Sequence, residues 1–80
     1  MHMILRLPAV KARTGLSRST IYLRISQALW TSPVAIGPRA VGWPASEVAA
    51  LNAARIAGKS DDEIRALVVK LEAARRTVVI

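Results

Sequence analysis

The sequence predicts a mainly α fold with a small β-hairpin, and three stretches predict it. Residues 7–25 read as a helix, a tight glycine turn and a second helix. Residues 33–43 alternate apolar and small side chains around Gly37-Pro38-Arg39-Ala40. Residues 60–76 open on a capping signature and carry apolar positions at i, i+3, i+4 and i+7.

Met3-Ile4-Leu5 is short and apolar, and reads either as a strand or as a lead-in. Pro8 suits the first turn of a helix, where no backbone N–H is needed. Thr14 and Gly15 end that helix, because Gly15 can adopt the left-handed conformation. Leu16 is an apolar anchor. Ser17 caps the next helix, its hydroxyl accepting from the N–H of Ser19 or Thr20. Ile21 and Ile25 mark the buried stripe. At about 100° per residue, Ser19, Tyr22, Leu23 and Ser26 point away from it, with Arg18 on the flank. A short helix, a glycine turn and a basic, polar second helix form the helix-turn-helix pattern, whose second helix enters the DNA major groove.

The second helix is expected to run to Gln27 or Ala28, with Leu29 and Trp30 as core residues at its exit. Pro33 disfavours helix at Ser32. Val34 and Ile36 alternate with Ala35, and Val41 and Trp43 with Gly42, so this segment reads as a hairpin with Arg39 near its tip. A basic-tipped hairpin beside a helix-turn-helix is a wing, whose arginine reaches phosphate or the minor groove. Ser46 is the expected cap of the following helix, with Glu47 in its first turn complementing the helix dipole. Val48, Leu51, Arg55 and Ile56 follow helical spacing, and Gly58 ends the helix. Ser60 and Glu63 form a capping box, and Asp61 and Asp62 add negative charge at that helix start. Ile64, Leu67, Val68 and Leu71 form its stripe, Val69 widens it, and Arg75 and Arg76 close the last turn. Thr77-Val78-Val79-Ile80 is a β-prone tail.

Eighty residues make one small fold with a thin core, divided here into a DNA-binding unit over 1–58 and a C-terminal helix and tail over 59–80. Trp30, Trp43 and Tyr22 are the only large aromatic rings, and cysteine is absent, which excludes disulfides and thiolate metal sites. His2 is the single histidine and stands at the chain terminus. No apolar run approaches the roughly 18 to 20 residues of a membrane span, and no signal peptide is recognisable. A cytoplasmic, nucleoid-associated protein is expected, without a membrane partner.

The net charge of +7 is unevenly spread. Residues 1–46 carry Arg6, Lys11, Arg13, Arg18, Arg24 and Arg39 and no Asp or Glu, for a charge of +6. Residues 47–80 carry six cations against five carboxylates, leaving +1. A field of one sign over half the chain suits a polyanion. Ser17, Ser19 and Thr20 have no histidine base, the carboxylates cluster where capping explains them, and neither a phosphate loop nor a dinucleotide fingerprint occurs. No enzyme, cofactor or metal is therefore expected.

Leu7-Pro8, Thr14-Gly15-Leu16-Ser17-Arg18-Ser19-Thr20-Ile21-Tyr22, Pro33, Ile36-Gly37-Pro38-Arg39-Ala40-Val41-Gly42-Trp43-Pro44 and Ser46-Glu47-Val48 resemble the AlpA family. These are small regulators of phages and mobile elements, with a winged helix-turn-helix related to excisionases and MerR-type domains. The resemblance covers about residues 5–57. It implies sequence-specific DNA binding, used to regulate element genes or to bend DNA as an excisionase, a recombination directionality factor that acts with an integrase. Carried over residue by residue, Arg18, Ser19 and Tyr22 match the reading helix, and Arg39 matches the wing. One departure is Ala28, where family members often carry Gly before the pair occupied here by Leu29 and Trp30.

The expected docking gives Arg18 a bidentate contact with guanine and gives Ser19 and Tyr22 contacts with bases or phosphate. Lys11, Arg13, Arg24 and Arg39 supply backbone contacts. A single short reading helix covers few base pairs, so residues 60–80 are expected to bring copies together on double-stranded DNA. The competing reading is a protein-interaction module whose C-terminal helix is the working surface.

Overall fold

A computed structural model describes residues 3–77. Its elements are β1 (Ile4–Leu5), α1 (Leu7–Thr14), α2 (Arg18–Ser26), β2 (Val34–Gly37), β3 (Ala40–Pro44), α3 (Ala45–Ile56), α4 (Asp61–Ala74) and a 3₁₀ turn over Arg75–Thr77. His2 and tail residues 78–80 lie outside the described residues.

The helix-turn-helix forms as its residues direct. Gly15 ends α1 at φ 73° and donates its N–H to the Lys11 carbonyl at 2.8 Å. The Thr14 hydroxyl donates to Val10 O at 2.7 Å and accepts from Leu16 N at 3.2 Å, which fixes the turn. Ser17 caps α2 by accepting from the Thr20 N–H at 3.2 Å. Helix α2 stops at Ser26, short of the expected Gln27 or Ala28. The chain leaves it through a Schellman arrangement, in which Leu29 N donates to Arg24 O at 2.8 Å and Ala28 N to Ile25 O at 3.1 Å. That arrangement needs a left-handed residue, and Ala28 takes it at φ 61°.

Of the apolar lead, Ile4 and Leu5 form a strand. The sheet order is β1-β3-β2, antiparallel throughout, with Leu5 opposite Trp43 and Val34 opposite Gly42. Gly42 is required by crowding: a Cβ there would stand 2.5 Å from Ile4 Cγ2 and 2.8 Å from Leu5 O. The expected alternation of the hairpin holds only at its base. Trp43 is fully buried, whereas Ile36 and Val41 are exposed. The register slips between Ala35 and Gly37, so Ile36 is the extra residue of a bulge and leaves the alternating pattern.

Three further details depart from the sequence reading. Ser46 does not cap α3; the helix starts at Ala45, whose N–H donates to Met3 O at 2.7 Å, so a carbonyl ahead of β1 takes the capping role. Ile56 follows the spacing but is 81% exposed, because α3 outruns the core at its C-terminal end. Val69 does not widen the α4 stripe; one step of about 100° from buried Val68 turns it outward, and it is 68% exposed. The capping box at Ser60 and Glu63 is complete, with both reciprocal bonds at 3.2 and 3.0 Å.

One buried cluster joins the chain: Leu5, Val10, Ile21, Leu29, Trp30, Trp43, Val48, Leu51, Ile64 and Val68. Ile64 and Val68 place α4 in the same core as the helix-turn-helix, and Leu67 and Leu71 pack partly against it. Polar contacts reinforce this seam. Arg65 Nε donates to Gln27 O at 3.0 Å at the exit of α2. Glu72 Oε2 accepts from Ser32 N at 2.7 Å, two residues before the wing begins.

Candidate nucleic-acid interface

Helix α2 buries Ile21 and turns Arg18, Ser19, Tyr22, Leu23 and Ser26 to solvent. The Arg18 guanidinium lies over the Tyr22 ring, 5.4 Å from its centroid, where the ring's negative face attracts the cation. The Tyr22 ring meets Trp43 edge to face at 6.3 Å and 72°. Trp43 is fixed in turn by its Nε1, which donates to Thr31 O at 2.9 Å. An Arg18–Tyr22–Trp43 chain thus ties the start of the exposed helix to the central strand of the wing.

The hydroxyls on this face have local partners. Ser19 Oγ lies 3.2 Å from Ser17 Oγ, and Ser26 Oγ donates to Leu23 O at 2.6 Å.

The other expected contacts fall on separate elements. Lys11 and Arg13 are exposed in the last turn of α1. Arg39 is exposed in the turn between β2 and β3. Arg24 stands apart from this set. It is half-buried, and its pKa is lowered by burial and then by the Arg55 charge, with Asp61 pulling the other way. Its surroundings are therefore the ends of α3 and α4 rather than the outward face of α2.

Charge pairing reinforces this asymmetry. Asp61, Asp62 and Glu63 pair with Arg55, Arg65 and Lys59 at 3.4–3.7 Å, and Glu47 pairs with Arg75. Among the described residues, Arg6, Lys11, Arg13, Arg18 and Arg39 make no salt bridge. These five cations have no carboxylate partner among the described residues, while Glu47, Asp61, Asp62 and Glu63 are each paired with a cation of the C-terminal half. Among the described residues, no group of His, Cys, Asp or Glu is placed to hold a metal ion, and no helix is long and apolar enough to cross a membrane.

Two features had no signal in the sequence. The Arg18–Tyr22–Trp43 chain depends on how the sheet docks against α2. The Arg75–Glu47 pair joins residues 28 positions apart.

A helix-turn-helix, a two-stranded wing docked on it and a basic outer surface define a small winged helix-turn-helix protein. Residues 3–55 match the family model of the prophage CP4-57 regulatory protein AlpA, and the chain belongs to that family of phage regulatory proteins. It is 47% identical over 55 residues to the uncharacterized protein ORF88 of Enterobacteria phage P4. That match covers 69% of this chain and 62% of the phage protein, so the chain spans less than two thirds of its relative. No solved structure matches the chain.

Proposed function

We propose that the chain binds double-stranded DNA sequence-specifically, with α2 in the major groove and Arg39 of the wing on the adjacent backbone or in the minor groove. The observation that carries this reading is the outward face of α2, with Arg18 held on Tyr22, on a chain half that has no carboxylate. Lys11 and Arg13 contact phosphate from α1, and Ser19 lies at the groove edge. Arg24, facing Arg55 and Asp61, has the weakest claim among the cations.

In this reading the protein regulates genes of a prophage or integrative element, working on the nucleoid. Bending DNA as an excisionase, together with an integrase, is the architectural form of the same activity. Residues 1–58 form the DNA-binding part. Copies meeting through residues 59–80 would extend the short site that one α2 can read. The α4 stripe is used inside the chain's own core, which disfavours an interaction module built on that stripe.

Selection of bound sequences from random duplex DNA, followed by titration against the selected and scrambled sites at several salt concentrations, tests the reading. A preference of roughly a thousandfold or more for the selected site supports it. Equal affinity for all sequences would overturn it. Circularly permuted fragments of the selected site then separate a bending protein from one that leaves DNA straight.

A further inference from the structure

Leu23 is the unexplained residue of the outward face. At about 100° per residue, it lies diametrically opposite the midpoint of the stripe formed by Ile21 and Ile25. It is therefore the apex of α2, the side chain that projects furthest from the core. It is 56% exposed and packs against none of the core cluster. The polar residues around it are engaged: Ser19 with Ser17, Ser26 with the Leu23 carbonyl itself, and Arg18 with the Tyr22 ring. The centre of the face is thus apolar, flanked by a cation at one end and by hydroxyls held in local hydrogen bonds.

We propose that Leu23 reads the 5-methyl group of a thymine in the major groove, an inference that rests on the docking proposed above. In that groove the methyl is the one apolar mark on any base edge, and an aliphatic side chain is its natural complement. A buried methyl-sized contact is worth about 0.8 kcal/mol, or roughly a three- to fivefold change in affinity. Leu23 therefore fixes one A·T pair near the middle of the major-groove site, inside whatever pair Arg18 specifies.

The test uses the full chain and a site selected as above, in which each thymine is replaced singly by deoxyuridine. That change removes the methyl and leaves every hydrogen-bonding group in place. The expected result is one thymine whose replacement weakens binding roughly three- to fivefold. Leu23→Ala, which truncates an exposed side chain, should keep the fold by circular dichroism, bind the thymine site with that same loss, and be indifferent to deoxyuridine there. If no thymine is sensitive, or if the sensitivity persists in Leu23→Ala, the inference is wrong while sequence-specific binding stands. If the protein selects no sequence at all, the docking itself fails and the inference with it. Introducing 5-methylcytosine at neighbouring cytosines provides the second arm: a gain at one of these positions that is lost in Leu23→Ala would show that Leu23 reads pyrimidine methyls in general and would overturn the assignment to thymine.

Discussion

Arg75 holds Glu47 with two parallel hydrogen bonds, Nε to Oε2 at 2.7 Å and Nη2 to Oε1 at 2.6 Å. The same Nη2 also donates to Ser32 O at 2.7 Å. One guanidinium, placed just past the end of α4, thus joins the first turn of α3 to the loop that starts the wing. The hydrogen bonds that Arg75 donates to Glu47 raise the pKa of Arg75, so the guanidinium keeps its charge in the pair.

Removing one partner is expected to cost far more than the pair contributes. Glu47 is only 4% exposed, so Arg75→Ala leaves a buried carboxylate without its counter-charge. Such losses run to about 3–5 kcal/mol, a large share of the stability of a domain this small. Glu47→Ala should cost less, because Arg75 is more accessible and keeps Ser32 O. Urea denaturation measures both, and the double variant should be less unstable than the sum of the two. An Arg75→Ala protein within about 0.5 kcal/mol of the parent would show that the pair is incidental.

The turn after α2 makes the second prediction. Ala28 sits at φ 61° in a Schellman position, while Gly58 serves the equivalent exit of α3 at φ 74°. A left-handed conformation costs an L-residue about 1–2 kcal/mol, and glycine gives back about 0.5–1 kcal/mol through its looser unfolded chain. Ala28→Gly should therefore stabilise the domain by about 0.5–1 kcal/mol and raise its Tm by a few degrees. Ala28→Val should lower it. If glycine lowers the Tm, the left-handed geometry at this residue is wrong.

The sequence made the local structure readable and the long-range structure largely invisible. Gly15, Ser17 and the Ser60–Glu63 box each act within a few residues, so their turns and caps could be placed from spacing alone. Ser46 was misread because its capping role is taken by Met3 O, a carbonyl brought in by the neighbouring strand β1. Ile36 was misread because a one-residue bulge shifts the register, and period-2 patterns carry no mark of a bulge. Glu47 was legible as a first-turn acid, but not as a buried partner of Arg75. In the proposed interface, Arg18 and Tyr22 were legible as outward residues. Their contact with each other, and Tyr22's contact with Trp43, arise only once the wing is docked on α2.

Arg18 is expected to contribute specificity more than stability. It is exposed at the start of α2 and lies outside the buried core cluster. Arg18→Ala should fold normally, weaken binding to the selected site by about 1–3 kcal/mol and relax the preference at one base pair. Tyr22→Leu removes the platform that holds the guanidinium and should relax the same base pair less severely. Competition against single-base variants of the site reads both effects. An Arg18→Ala protein with unchanged affinity and preference would show that the start of α2 lies off the DNA.

Arg39 and Arg24 give the closing contrast, since the sequence grouped them together and the fold separates them. Arg39 stands exposed at the tip of the wing, clear of any carboxylate among the described residues, so a phosphate contact there displaces only a counterion. Arg39→Ala should weaken binding to all sequences alike and lower the steepness of the log–log salt dependence by roughly one unit. Arg24 is half-buried and feels the charges of Arg55 and Asp61, so its removal relieves a repulsion as well as deleting a cation. Arg24→Ala should leave the salt slope within experimental error of the parent. Titrations over a range of salt concentrations measure both slopes on the same DNA. If the two variants lose equal slope, Arg24 reaches the backbone from its half-buried position, and the footprint extends past α2 onto the junction of α3 and α4.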